Sequence, residues 1–273
     1  MSGSLDRGLA IIELLAMSGG SLPLRAIAEK LSIPPSATHR LLSMLAGLGY
    51  IRQTEDHGDY QLSLKLVSLG LIRLSTSGVT DMAQPVLDDL AGETGELARL
   101  GLIEDEKMVF IAKAQGTRYG LRYDPDMGQE TPLFCTASGH AWLLGMSDEE
   151  ALMIVSRQGF GKAEDFGPNA PRTIPAFIKE LQQARKRGYG LNIDSSLAGI
   201  AAVAVPILHP VNGKPVGAVS LSGPSSRLNL ARLKSFHPLL VNAAKELSAI
   251  SLGPSSLSNE IVPLKSPKRK KAI

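Results

Sequence analysis

Along the first fifty residues the apolar positions recur at helical spacing. Leu5, Leu9, Ile12 and Leu15 form one stripe behind Ser4, which is placed to cap a first helix ending near Gly19-Gly20. Leu24, Ile27, Ala28 and Leu31 turn inward on a second, shorter helix. The Ile33-Pro34-Pro35-Ser36 step cannot prolong it, because proline lacks an N–H and restrains the residue before it. Proline opens helices well, so a third helix is predicted from near Pro35 to Gly49. Ala37, Leu41, Leu45 and Leu48 form its apolar stripe, leaving Ser36, Thr38, His39, Arg40 and Ser43 toward solvent. Tyr50-Ile51-Arg52 and Tyr60-Gln61-Leu62 flank a polar turn containing Gly58 and read as a two-stranded hairpin. Three short helices and a hairpin spell a winged helix-turn-helix.

The pattern then changes. Leu64, Val67, Leu71 and Leu74 alternate three and four apart, which predicts an amphipathic linker helix that offers a seam to a neighbour and ends at Gly78. Beyond it helical and strand-like runs mix. A helix is predicted from about Asp81 to Glu93, strands at Leu97 to Ile103 and Met108 to Ala114, and a less regular stretch at Tyr119 to Tyr123. Ser147-Asp148-Glu149-Glu150 is a capping box opening one helix, and Thr173 caps another that runs to Gly188. Gly199 to Leu208 and Pro215 to Ser222 form a hairpin across Pro210-Val211-Asn212-Gly213. A last helix runs from about Asn229 to Leu252, kinked or started late at Pro238. The fold class is α+β, and the expected division is a winged helix-turn-helix over 1–62, a linker helix over 63–78, an α/β domain over 79–253 and a basic, disordered tail over 254–273.

Composition narrows the function classes. The 273 residues are 44% hydrophobic and 20% charged, which excludes wholesale disorder. No apolar run approaches the roughly 18 residues of a membrane span, and MSGSLDRG lacks a basic segment followed by an apolar one. Cys135 has no cysteine to pair with. A cytoplasmic protein with no membrane partner is expected. The net charge of +3 is unevenly spread: the tail KSPKRKKAI holds Lys265, Lys268, Arg269, Lys270 and Lys271. Such a tail adds at most nonspecific attraction to phosphates.

Double-stranded DNA is the partner that the third helix suits. Sequence is read by a few side chains carried into the major groove, and affinity comes from phosphate contacts. Arg40 can grip guanine in bidentate fashion, Ser36, Thr38 and Ser43 suit phosphates or either base type, and His39 adds a donor. Arg52 and His57 in the wing are placed to meet the backbone. An ordinary helical bundle with a polar face fits the same pattern, and the near-neutral charge of residues 1 to 80 favours it.

Enzyme chemistry finds little support. Cys135 and His140 lie five apart, which on a helix sets them about 140° apart around the axis, a poor geometry for a nucleophile and its base. Cys135 reads instead as a buried thiol and Trp142 as core or interface. Gly159-Phe160-Gly161 lacks the remaining glycines of a dinucleotide fingerprint, and no phosphate-binding loop or nucleophile elbow occurs. The five histidines, His39, His57, His140, His209 and His237, are scattered, so neither a metal nor a cofactor is expected.

The stretch LRAIAEKLSIPPSATHRLLSMLAGLGYI resembles the helix-turn-helix of the isocitrate lyase regulator (IclR) family of bacterial transcription factors. Three further blocks, CTASGHAWLLG, RGYGLNIDSSLAGIAAVAVPI and VGAVSLSGPSSRL, are similar to that family's effector domain. The resemblance covers about residues 5 to 252. It implies a winged helix joined by a linker helix to a GAF-like α/β domain, in dimers or dimers of dimers that bind palindromic operators. It also implies a small-molecule effector, often a small or aromatic carboxylate, bounded by the three blocks. Carried over by position, Thr136, Ala137 and Ser138 line one wall, Asn192 and Asp194 a loop, Ala202 a strand, and Ser220 and Ser222 the opposite strand. Ser220 and Ser222 are two apart and share a strand face. Hydroxyls and N–H groups at a helix start suit a carboxylate, because they supply donors without a buried countercharge; the alternative is that the two serines only satisfy local backbone groups. Arg118 and Arg122 are placed to attract an anion or to form surface salt bridges.

Overall fold

The computed structural model describes residues 3–54 and 58–250. Contacts divide the chain into two compact units that meet in sequence at Thr76 and Ser77.

The first unit holds α1 (Ser4–Met17), α2 (Leu24–Lys30), α3 (Pro35–Gly47), a hairpin of β1 (Ile51–Gln53) and β2 (Tyr60–Leu62), and α4 (Leu64–Ser77). Ile51 pairs with Leu62 and Gln53 with Tyr60, so the hairpin is antiparallel as its flanking residues predicted. Ile11, Leu15, Ile27, Ile33, Leu41, Leu42, Ile51 and Tyr60 make one core. Two expectations are corrected. The cap of α1 is Gly3, whose N–H donates to the Asp6 carboxylate, and not Ser4. The buried face of α1 is Gly8, Ile11 and Leu15, while Leu5 and Leu9 are exposed, because the core is centred about a fifth of a turn from the expected stripe and shares only Leu15 with it.

The second unit contains α5 (Val79–Thr94), β3 (Leu97–Glu104), β4 (Lys107–Gln115), α6 (Ala137–Leu143), α7 (Asp148–Gln158), α8 (Ile174–Arg187), β5 (Gly190–Ile193), β6 (Ile200–Leu208), β7 (Pro215–Pro224), α9 (Leu230–Ser235) and α10 (His237–Ala249). The five strands form an antiparallel sheet in the order β4-β3-β7-β6-β5. Alternation along each strand sends residues to two different cores. Leu100, Val203, Val205, Val219 and Leu221 pack with Leu87, Leu90, Leu240 and Leu247 of α5 and α10 on one face. Ala202, Ala204 and Ala218 face α6, α7 and α8 on the other.

Local signals explain most boundaries. Ser147 and Glu150 close the expected capping box of α7, Thr173 accepts from the Ala176 N–H to start α8, and Gly188 ends it at φ +80°. At Pro238 the chain starts a new helix after a turn at Phe236, the late start that proline allows in a first turn. One element escapes the pattern: β5 is four residues long, opens with glycine and pairs on one edge only, so Asn192 stands in a strand and not in a loop. Gly190 is required there because α6 crosses it closely. A Cβ at Gly190 would lie 1.9 Å from the Ala137 carbonyl oxygen, and this crossing seats α6 above the sheet.

Candidate functional sites

In the first unit α3 presents Ser36, His39, Arg40 and Ser43 to solvent. At about 100° per residue these four span an arc of about 100° on one side of the helix. Thr38 falls on the opposite side and corrects the expectation: it is fully buried, and its hydroxyl donates to the carbonyls of Ile33 (3.4 Å) and Pro34 (3.2 Å). Thr38, Leu41 and Leu42 are the buried positions, spaced i, i+3 and i+4, whereas the expected stripe residue Leu48 is exposed. The Thr38 hydroxyl therefore ties α3 to the turn before it and carries nothing toward DNA. Arg52 is exposed on β1, with Nε and Nη2 at 2.9 and 3.0 Å from the side-chain oxygen of its cross-strand partner Gln61. His57 lies outside the described residues, as does the basic tail.

In the second unit the face of the sheet beneath α6 is polar in its centre. Asn192, Ala202 and Ser222 are register partners across β5, β6 and β7, and Ala204, Ser220 and Arg99 are partners one row on across β6, β7 and β3. Over these rows lies a cavity of about 170 Å³, bounded by Thr136, Ala137 and Ser138 of the α6 start, by Tyr123 and Pro125 of the chain after β4, and by Ser196, Leu197 and Ile200. Its size is below the roughly 300–1,000 Å³ that drug-sized ligands occupy.

The structure brings Thr136, Ala137, Ser138, Asn192, Ala202 and Ser222 together around this cavity. Ser220 sits behind its lining. Asp194 does not belong to it: its carboxylate accepts from the Gly199 N–H (2.7 Å) and the Ser225 hydroxyl (3.0 Å) and holds the β5–β6 turn. Seven buried side-chain polar atoms are without partners among the described residues; His140 Nδ1, Arg185 Nε and Arg187 Nε lie elsewhere, and the other four, Ser220 Oγ, Ser222 Oγ, Asn192 Oδ1 and Arg99 Nε, belong to this sheet face. Buried polar groups are normally satisfied, so four orphans on one sheet face mark a place built for another molecule. The Asn192 amide is oriented by its Nδ2, which donates to the Cys135 carbonyl (3.1 Å) and Ser196 Oγ (3.2 Å), and its free oxygen remains an acceptor.

Arg99, Phe110 and Tyr123 were not found from the sequence. The Arg99 guanidinium lies 3.8 Å from the Phe110 ring centre and 5.6 Å from that of Tyr123, within the reach of cation–π attraction. Burial pushes its pKa below the ordinary arginine value, with Tyr123 acting in the opposite direction. Arg99 is the one basic residue among those lining the cavity. Of the two roles open to Arg122, the structure shows the surface salt bridge, with Asp124 at 3.4 Å.

The cysteine-histidine pair is inert in this setting. Burial raises the Cys135 thiol to about 12 and depresses His140 to about 4. His140 Nε2 lies 2.8 Å from the Phe134 carbonyl, so the neutral ring donates there, and its Nδ1 is buried without a partner among the described residues, where desolvation opposes protonation. Trp142 is buried in the same core. No helix among the described residues is long and apolar enough to cross a membrane.

Comparison with known proteins agrees across both units. Residues 4–55 match the model of the IclR helix-turn-helix domain, and residues 72–249 match that of the bacterial transcriptional regulator IclR C-terminal domain. The HTH-type transcriptional repressor AllR of Salmonella paratyphi A is 30% identical over 252 residues, covering 92% of this chain and 91% of that one. The transcriptional repressor IclR of Escherichia coli is 29% identical over 248 residues, covering 90% and 88%. The crystal structure of an IclR homologue from Microbacterium hydrocarbonoxydans, complexed with 4-hydroxybenzoate, shares the fold at a TM-score of 0.71 and 20% identity, covering 91% of this chain and 98% of that one. These relatives are regulators and not enzymes, and the chain belongs to the IclR family of bacterial transcriptional regulators, with a DNA-binding helix-turn-helix ahead of a C-terminal effector-binding domain.

Proposed function

We propose that this regulator is a cytoplasmic homodimer, or a dimer of dimers, that binds a palindromic operator and releases or reshapes it when a small carboxylate enters the cavity above the sheet. The observation that carries the effector reading is the pair of buried, unpartnered polar atoms of Ser222 and Asn192 at one cavity, with the unpartnered Ser220 hydroxyl one row on along β7. Hydroxyl donors of this kind suit a carboxylate. The complex of the Microbacterium homologue with an aromatic carboxylate favours the same class. On the DNA side, Ser36, His39, Arg40 and Ser43 form the reading face of α3, and Arg52 contacts the backbone from the wing. Leu64, Val67, Leu69, Leu71 and Ile72 expose apolar side chains on α4, which supports pairing of this helix with that of a second copy.

Effector and DNA are coupled only if the effector binds one arrangement of the dimer more tightly than the other. The connecting helix α4 is the element assigned to carry that difference. The test is fluorescence anisotropy with the protein's own upstream intergenic DNA and a scrambled control at two salt concentrations, with and without small carboxylates. Preference for the native DNA that weakens with salt, and shifts on adding a carboxylate, is the expected result. Equal, weak binding to both DNAs would overturn the operator reading, and indifference to every carboxylate would overturn the effector reading.

A further inference from the structure

The cavity is chemically two-ended. At the β3 end stands Arg99, its guanidinium over the Phe110 ring and without an acidic partner among the described residues, in register with Ser220, whose hydroxyl is unpartnered. At the β5 end stands Asn192, 4% exposed, whose Nδ2 is committed to Cys135 and Ser196 and whose Oδ1 is left bare. Three strand spacings of about 4.8 Å separate the two strands, and Ala202 and Ile200 supply apolar wall between the ends. Two carboxylates also line the cavity, Asp126 and Glu130; Glu130 is engaged by Lys107 (3.4 Å) and by the Gln158 amide (2.8 Å), and neither forms an ion pair with Arg99 among the described residues.

Resting on the carboxylate reading above, we propose that Arg99 is the countercharge that selects the effector's anionic group and that Asn192 Oδ1 selects a hydrogen-bond donor at its other end. The ligand is thus a small hydroxy (or amino) acid whose carboxylate lies against Arg99 and Ser222 and whose donor, set apart from the acid group by its carbon frame, meets Asn192. A neutral amide of the same shape leaves the guanidinium without its anion. An acid lacking the donor leaves a buried carbonyl oxygen unpaired, which sites of this kind reject strongly.

A matched triple tests this by isothermal titration of the full-length protein: 4-hydroxybenzoate, benzoate and 4-hydroxybenzamide, in which the ring sets the donor well away from the acid group. 4-Hydroxybenzoate is expected to bind at least tenfold more tightly than both its amide and its deoxy counterpart. Arg99→Met, checked for folding by circular dichroism, is expected to lose tenfold or more for the acid and to erase the acid–amide difference. Arg99→Lys, which keeps the charge but not the planar fork, falls between, and Asn192→Ala erases preference for the hydroxyl. Equal binding of acid and amide by the unsubstituted protein overturns the assignment without any variant. Acid binding that survives Arg99→Met but falls with Ser222→Ala overturns Arg99 alone and leaves the carboxylate reading standing. If neither 4-hydroxybenzoate nor benzoate binds, both readings fall.

Discussion

Glu96 and Arg227 form a bidentate ion pair across the second unit, Nε to Oε1 at 2.7 Å and Nη2 to Oε2 at 2.8 Å, with the Glu96 side chain 1% exposed. The same guanidinium donates to the Leu121 carbonyl and to Thr117 Oγ1 (3.0 Å). Arg227, three residues past the end of β7, thereby anchors the irregular segment that carries Tyr123 to the cavity. Removing Arg227 strands a buried carboxylate, a change of the class that costs about 3–5 kcal/mol when fully buried and less here because Arg227 is partly solvated. Arg227→Met is expected to lower stability by about 2–3 kcal/mol and to speed hydrogen exchange at residues 117–123. Unchanged exchange there would show that the segment is held by other contacts.

Arg40 and Thr38 are two apart on α3 and face opposite ways. Arg40→Ala is expected to weaken operator binding by about 1–3 kcal/mol and to relax preference at one base pair. Thr38→Val is expected to cost about 1 kcal/mol of stability through the lost turn hydrogen bonds while keeping the base preference. Anisotropy titrations against single-base operator variants distinguish the two, and altered base preference in Thr38→Val would return that residue to the reading face.

Gly190 marks where α6 touches the sheet. In Gly190→Ala the added carbon meets the Ala137 carbonyl at 1.9 Å and the Ala141 nitrogen at 2.9 Å, both backbone, so the helix must move. A loss of about 1–3 kcal/mol in urea denaturation is expected, together with weaker effector binding because Thr136 to Ser138 move with it. Wild-type stability in this variant would mean that α6 adjusts freely.

His140 gives the stability of this unit an acid limb. Its pKa falls from 6.5 to about 4 on folding, so the unfolded chain binds the proton first. The contribution is fully present above pH 6.5 and is lost as pH falls toward 4, about 3 kcal/mol in all. Urea denaturation at pH 7 and pH 4.5 is expected to show a steeper acid loss in the wild type than in His140→Leu. Parallel losses would assign the acid limb to other groups.

What the amino-acid order determines here is local. Proline at the start of α3, the Ser147–Glu150 capping box, Thr173 before α8 and the alternation of β6 and β7 each act within a few residues, so both the helix-turn-helix and the α+β class are legible from the chain. Four blocks in order then carry the family resemblance, and six of its eight effector positions meet at one cavity. Tertiary structure decides what depends on partners distant in sequence. Thr38 looks like any polar helical residue until the core shows which arc of α3 it covers. Arg99 reads as the solvent-facing residue of an alternating strand, and only the crossing of α6 and the chain around Tyr123 roof that face and leave the guanidinium in a cavity. Asp194 lies two residues from Asn192, yet the turn at Gly199 claims its carboxylate. Periodicity specifies that a residue has a face; packing across β3, β7, β6 and β5 specifies what the face meets.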